Sequence, residues 1–215
     1  MSDGGPSAPE DLDTAVDLSW VATAEVDELE VYEQRTDEQP SLTMQNPTAV
    51  GGPLVFLVIF DTDEWVKVLL PVRPNGTTGW VRKDDVTMSY HQYRIEVTLD
   101  EFELEVFHRG ESIFQTTVGV ARDNAPTPGG LYYLTELIVP LKANSPYGPF
   151  AYGLSGFSET FESFNGGQGQ LGLHGTNDPD SIGKAVSSGC VRLANDAIRH
   201  LAGFLPLGTP VEIGA

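Results

Sequence analysis

Short apolar or alternating runs, each ended by turn residues, constrain the fold of this chain more than any other feature. Gly (23 residues) and Pro (15 residues) together make up 38 of the 215 positions, well above the ordinary share. Turn clusters such as Gly51-Gly52-Pro53 and Pro74-Asn75-Gly76-Thr77 separate the runs. The chain is therefore predicted to be mainly β, and its 40 % of hydrophobic residues suffices for a sizeable core.

Residues 20–88 are predicted to form a small β module, because no segment there has a convincing helical period. The candidate strands are Val21–Val26, Leu29–Tyr32, Leu54–Phe60, Trp65–Leu70 and Gly79–Arg82. The pair Trp65-Val66-Lys67-Val68 and Gly79-Trp80-Val81 resembles a bacterial SH3-like domain, which implies a small SH3-like β-barrel. Its tryptophans serve either as ordinary packing residues or as a groove for peptide or glycan.

Residues 92–215 are predicted to form a second, mainly β unit that contains one helix. Met88–Gln92 is the predicted junction, and a hairpin at His108–Glu111 joins two of the strands. The candidate strands are Tyr93–Leu99, Phe102–Val106, Ser112–Val120, Leu131–Leu137 and Thr209–Ile213.

Two further segments of this unit carry specific expectations. Apolar residues at Ile198, Leu201, Ala202 and Leu205 follow helical spacing, and Asn195 is predicted to cap that helix. The weakly periodic stretch 144–170 is predicted to be an irregular flap over a site.

The net charge of −19 is concentrated near the beginning of the chain. Residues 1–50 hold 12 acidic residues and one basic residue, whereas residues 151–215 hold six acidic and three basic ones. Residues 1–19 are predicted to be a disordered leader or stalk. Such acidity argues against binding to nucleic acid, whose phosphates attract Lys and Arg. No run of 18 apolar residues is present, so no transmembrane segment is expected.

The lone cysteine, Cys190, is either a buried small hydrophobe or a reactive thiol. A reactive thiol needs a base, and His174 is the natural candidate because imidazole titrates in the right range. Backbone N–H groups of Ser188, Gly189 and Cys190 are a candidate oxyanion hole. Arg192 would share a strand face with Cys190 and is well shaped to hold a carboxylate. One cysteine and one histidine make a poor metal site, so neither a metal nor another cofactor is expected.

The ordered motifs of residues 92–215 resemble those of the YkuD-type L,D-transpeptidases. The motifs are His174-Gly175-Thr176, Ser187-Ser188-Gly189-Cys190-Val191-Arg192-Leu193 with Asn195, and Gly208-Thr209-Pro210-Val211. Thr127-Pro128-Gly129-Gly130 resembles the T-P-x-G turn of the family, and Tyr147 to Phe157 resembles its flap. Ser188 departs from the usual motif, which has a second histidine at that position.

The resemblance implies a catalytic β-sandwich or barrel domain with one helix after the cysteine. It makes Cys190 the nucleophile, His174 the base, and the carbonyl of Gly175 the group that orients the histidine. Tyr147 and Tyr152, in the flap segment, are expected to join Arg192 in binding substrate.

The expected activity is formation of 3–3 cross-links between peptidoglycan stem peptides through a cysteine thioester. The resemblance also makes the thiol a target of carbapenem β-lactams. The alternatives are an L,D-carboxypeptidase acting on stem tetrapeptides and a non-catalytic wall-binding protein with a degenerate domain. Because peptidoglycan lies outside the plasma membrane, the protein is expected to be exported to the cell envelope. The export signal would then lie outside this chain.

Overall fold

The first part of the chain folds into a five-stranded antiparallel sheet and a separate hairpin. The computed structural model describes residues 18–142, 144–163 and 168–215. The sheet strands, in chain order, are β1 (Ser19–Ala24), β4 (Val55–Asp61), β5 (Trp65–Leu69), β6 (Thr78–Arg82) and β7 (Val86–His91). The hairpin consists of β2 (Glu28–Val31) and β3 (Leu42–Gln45). The spatial order of the sheet is β6-β5-β4-β1-β7.

The second part is built on a mixed eight-stranded sheet of order β10-β9-β8-β17-β12-β13-β14-β16. Its strands are β8 (Tyr93–Thr98), β9 (Glu103–His108), β10 (Glu111–Thr117), β12 (Gly130–Ile138), β13 (Ala151–Phe157), β14 (Gln170–His174), β16 (Val191–Arg192) and β17 (Pro210–Gly214). Two short strands, β11 (Val120–Ala121) and β15 (Ala185–Ser187), pair with each other in parallel. The helix α1 (Asn195–Ala202) links β16 to β17.

The mainly β prediction is confirmed, and the alternating runs are the reason that it could be made. In β8, Ile95 and Val97 are buried while their neighbours are half-exposed, as the period of two requires. In α1, Ile198 and Leu201 are buried on one side of the helix. Among the described helices, none is long and apolar enough to cross a membrane.

Several local expectations were wrong. The predicted junction at Met88–Gln92 lies largely in β7, and Ser19, assigned to the leader, already belongs to β1. These two strands pair directly, and their contact places the start and end of the first sheet side by side. Residues 1–17 of the expected leader lie outside the described residues.

The predicted flap is also wrong in its centre, because β13 is an interior strand of the eight-stranded sheet, although its register against β14 shifts between Gly153 and Phe157. Gly153 and Gly156 weaken the periodicity in sequence, yet both let neighbouring side chains pack onto the strand. Ala143 and residues 164–167 of the same stretch lie outside the described residues.

The two parts of the chain pack against each other. Tyr133 of β12 is fully buried within the hydrophobic cluster of the first part. Arg73 of the first part donates hydrogen bonds to the carbonyl oxygens of Ser158, Phe161 and Gln168. These contacts hold the connection between β13 and β14, which borders the site described below.

Candidate active site

Two parallel strand ends bring the sequence-predicted residues together. β14 ends at His174, and β16 starts directly after Cys190. The two strands pair with His174 opposite Arg192. As a result His174, Cys190 and Arg192 all line one cavity of about 120 Å³, together with Tyr147 and Ser188.

The ring of His174 has a defined orientation. The residue is buried, and its Nδ1 lies 2.5 Å from the carbonyl oxygen of Gly175. A carbonyl oxygen only accepts hydrogen bonds, so Nδ1 carries the proton and Nε2 holds the free lone pair. The available basic nitrogen is therefore Nε2.

Burial keeps both members of the pair uncharged. The pKa of His174 is lowered to about 4, mainly by burial and in smaller part by the positive charge of Arg192, while the Gly175 carbonyl opposes the shift. Burial also raises the pKa of the Cys190 thiol. The backbone N–H of Gly172 and the positive charge of Arg192 act in the opposite direction, because both favour the thiolate. The resting site at neutral pH thus contains a thiol and a neutral imidazole.

A network of backbone contacts holds the turn before the cysteine. Gly189 has φ +129°, a conformation that side chains rarely adopt. Its carbonyl oxygen accepts a 2.9 Å hydrogen bond from the buried hydroxyl of Thr127, and its N–H donates a 3.3 Å bond to Ser187 Oγ. The Ser187 hydroxyl itself donates to the carbonyl of Cys190 at 2.6 Å.

Arg192 stands at the cavity with unused hydrogen-bonding capacity. Its Nη1 lies 3.9 Å from Asp178 Oδ2, at the limit for an ion pair. Its Nε is buried and has no hydrogen-bond partner within the part of the chain that the structure describes. Arg192 also lines the cavity, where a guanidinium is suited to an anionic group.

The two tyrosines assigned to substrate occupy different environments. Tyr147 packs edge-on against His174, with ring centroids 5.0 Å apart, and lines the cavity. Tyr152 is buried in the core, and its hydroxyl lies within hydrogen-bonding distance of the carbonyls of Leu201 and Leu205. The structure therefore places the hydroxyl of Tyr152 on the helix side of the sheet.

A second, larger cavity of about 430 Å³ also reaches the thiol and the imidazole. Its lining includes Glu136 and Ile138 of β12, the backbone of Gly153, and again His174 and Cys190. Cys190 and His174 thus line both cavities.

Comparison with known protein families matches residues 92–213 to the L,D-transpeptidase catalytic domain of the YkuD type. The chain belongs to the L,D-transpeptidase family. A putative L,D-transpeptidase, YkuD, from Bacillus licheniformis is 36 % identical over 122 residues, which cover 56 % of this chain and 65 % of that protein. A second putative L,D-transpeptidase, YqjB from Bacillus subtilis, is 32 % identical over 159 residues, covering 68 % of this chain and 80 % of that protein.

Among solved structures, L,D-transpeptidase 3 from Mycobacterium tuberculosis in complex with a faropenem-derived adduct aligns with a TM-score of 0.45 and 13 % identity. The alignment covers 71 % of this chain and 92 % of that one.

Asn195, which lies near the site, does not make the helix cap that the sequence predicts. Asn195 was expected to cap α1, but it is the first helical residue and makes no capping bond. Its side-chain oxygen instead accepts a 2.9 Å hydrogen bond from the N–H of Thr176. Asn195 thereby holds the loop that carries Gly175, whose carbonyl contacts His174.

The sequence did not predict the contact between Thr127 and Gly189. Thr127 lies 62 positions before Gly189, so no local pattern could reveal the bond between them. The only available signal was its place in the Thr127-Pro128-Gly129-Gly130 turn. Among the described residues, no group of three or more His, Cys, Asp or Glu side chains could hold a metal ion.

Proposed function

We propose that this protein is a peptidoglycan L,D-transpeptidase that forms 3–3 cross-links between stem peptides through a thioester on Cys190. The observation that carries the proposal is the shared cavity of Cys190 and His174, with the histidine proton fixed on Nδ1. This arrangement leaves a basic nitrogen for the thiol proton, as nucleophilic catalysis requires.

The acylation step starts from the uncharged pair. As Cys190 Sγ attacks the carbonyl after the L-centre of diaminopimelate in a donor tetrapeptide, Nε2 of His174 takes the thiol proton. Its imidazolium forms only during attack, and the Gly175 carbonyl stabilises it through Nδ1–H. The imidazolium then protonates the departing amine, so the terminal D-alanine leaves and the thioester remains.

The developing oxyanion would be held by backbone N–H groups of Ser188, Gly189 and Cys190. The N–H of Gly189 already donates a long 3.3 Å bond to Ser187 Oγ, and it would exchange that weak bond for the oxyanion. Arg192, which lines the cavity, would hold a carboxylate of the stem peptide. Tyr147 would pack against the substrate at the mouth of the cavity.

Resolution of the thioester depends on the second nucleophile. Attack by the side-chain amine of an acceptor stem gives the cross-link, whereas attack by water gives an L,D-carboxypeptidase. We place this reaction in the cell envelope, outside the plasma membrane. We also expect carbapenem-type β-lactams to acylate Cys190, as membership of the L,D-transpeptidase family implies.

The test is to incubate the protein with disaccharide tetrapeptides and to analyse the products by mass spectrometry. A transpeptidase gives cross-linked dimers together with one free D-alanine per dimer. Tripeptides with free D-alanine and no dimers would identify a carboxypeptidase. Unchanged tetrapeptide with the parent protein would contradict both enzymatic assignments.

A further inference from the structure

Four residues lie in one row across neighbouring strands of the large sheet. Glu136 of β12 pairs with Gly153 of β13, and Gly153 pairs with Gly172 of β14. Cys190 precedes the paired residues of β16 and lies beside Gly172, whose N–H contacts the thiol. The neighbours of this row, such as Tyr152, Leu173 and Val191, face the hydrophobic core. The row itself therefore faces the cavity side of the sheet.

The two glycines leave an open path between Glu136 and the thiol. A Cβ at Gly153 would lie on top of the Glu136 carboxylate, in collision with its Oε1, so the carboxylate rests directly over the backbone of β13. From there Cys190 is two strand spacings away, roughly 10 Å between backbones. Both residues line the same cavity of about 430 Å³.

Among the described residues, no cationic side chain pairs with Glu136. Within residues 18–142, 144–163 and 168–215, its carboxylate forms neither an ion pair nor a side-chain hydrogen bond. The nearby lining residues Ile138 and Pro140 are apolar. A carboxylate next to an apolar wall is complementary to an ammonium group on a methylene arm.

We propose that Glu136 is the acceptor-recognition residue, which binds the ammonium group of the amine that resolves the thioester. This inference rests on the proposed transpeptidase function and specifies its second substrate as a primary amine on an aliphatic arm. Glu136 would favour such an amine over water by raising its local concentration beside Cys190.

The transfer step balances as follows. The bound ammonium releases one proton to water, and the neutral amine nitrogen attacks the carbonyl carbon of the thioester. The new C–N bond forms as the C–S bond breaks. The surplus proton on nitrogen passes through His174 Nε2 to the leaving sulfur, which regenerates the thiol.

The test separates acylation from transfer in the full chain. The acyl-enzyme is formed with a donor tetrapeptide and then offered Nα-acetyl-lysine amide, a cationic primary amine, or hydroxylamine, which is uncharged at pH 7. For Glu136→Gln we expect the KM for the lysine derivative to rise about tenfold or more, the scale of a hydrogen bond to a charged group. Acylation and hydroxylamine transfer should stay within about twofold of the parent rates.

Two further variants control the experiment. Glu212→Gln removes an exposed carboxylate from β17, the strand next to β12, and should leave the KM unchanged. Gly153→Ala keeps the charge of Glu136 but displaces its carboxylate, and it should raise the same KM.

An unchanged KM in Glu136→Gln, with normal acylation, would overturn the inference and leave the proposed function intact. Equal loss of lysine and hydroxylamine transfer would also overturn it, since that result indicates general damage. A parent protein that never forms the acyl-enzyme would overturn the proposed function, and the inference with it.

Discussion

Among the single residues, His174 is the one whose environment matters most for the proposed activation of the Cys190 thiol. Its pKa of about 4 lies well below the usual 6.5, because the ring is buried and Arg192 lies nearby. The folded protein therefore keeps Nε2 unprotonated down to unusually acidic pH, and no thiolate–imidazolium pair is required in the resting state.

This property predicts the acid side of the activity profile. Above pH 4 the imidazole is neutral and can act as base, so the second-order rate of acylation should not fall as pH drops through 6.5. We expect the fall near pH 4, measured as adduct formation against pH with a β-lactam. A half-maximal rate near pH 6.5 would show that His174 titrates normally or is not the base.

The hydroxyl of Thr127 offers a second test at this scale. Thr127→Val preserves shape but leaves the buried carbonyl of Gly189 without its 2.9 Å partner. We expect a loss of about 1–3 kcal/mol in the free energy of unfolding and slower acylation, because the turn before Cys190 loosens. Thr117→Val, at an exposed position of β10, is the matched control for denaturant unfolding. Equal losses in both variants would contradict a role for this bond.

The identities of Cys190 and His174 could be predicted because their chemistry is specific to their side chains. The contacts of Thr127 and Asn195 could not, because both join residues that are distant in sequence. The environment that shifts the pKa of His174 is likewise a product of folding, since it requires the packing of three separate segments.

At the scale of elements, alternation predicted most strands, and glycine-rich stretches caused the main error. β8 and β9 follow the expected period of two closely, whereas β12 buries four consecutive residues. β13 was mistaken for an irregular flap because Gly153 and Gly156 replace side chains where Glu136 and Tyr132 pack closely. A single sequence does not show whether a glycine ends a strand or admits a neighbour to it.

The loop before β13 can be tested through Gly148. This residue has φ +64°, and a Cβ there would collide with Asn195 Oδ1 and lie 2.6 Å from the backbone of Gly175 and Thr176. Gly148→Ala should therefore displace the carbonyl that orients His174 and slow acylation by about tenfold or more.

Gly76→Ala is the control for this experiment. Gly76 has a comparable φ of +82°, but its Cβ would point into open space. Both variants place a side chain on a left-handed backbone and should lose folding stability for that reason. Only Gly148→Ala should also lose acylation. Similar kinetics in the two variants would show that the collision does not reach the site.

In the molecule as a whole, the first module contacts a segment that borders the candidate active site. Arg73 fixes three carbonyl groups of the β13–β14 connection, which borders the cavity. We expect Arg73→Ala to lower the melting temperature and slow acylation together, whereas Arg35→Ala, elsewhere on the first module, should leave acylation unchanged. Normal acylation in Arg73→Ala would show that the two modules act independently. The resemblance of the first module to an SH3-like domain stays a prediction.

His91, at the end of β7, should make the stability of the folded protein depend on pH. Burial lowers its pKa to about 4, its Nδ1 accepts a bond from the N–H of Tyr93, and its Nε2 has no hydrogen-bond partner among the described residues. In the unfolded chain His91 becomes protonated near pH 6.5, whereas in the folded chain it stays neutral down to about pH 4. The stability that His91 contributes is therefore lost as pH falls from about 6.5 towards 4, by at most about 1.4 kcal/mol per pH unit, and His174 adds a loss of its own over the same range.

Chemical denaturation of the parent and His91→Gln across this pH range measures that contribution. The variant should show a shallower loss of stability, and His200→Gln, at an exposed helix position, should follow the parent. Parallel curves for the parent and His91→Gln would show that His91 titrates normally in the folded protein.

Intact-protein mass spectrometry shows whether Cys190 is the nucleophile of this L,D-transpeptidase family member. The parent protein, mixed with a carbapenem, should gain the mass of one acyl adduct, and Cys190→Ala should gain none. His174→Ala should form the same adduct roughly 100-fold or more slowly. An unchanged mass of the parent protein, or an adduct of equal yield on Cys190→Ala, would contradict the assignment.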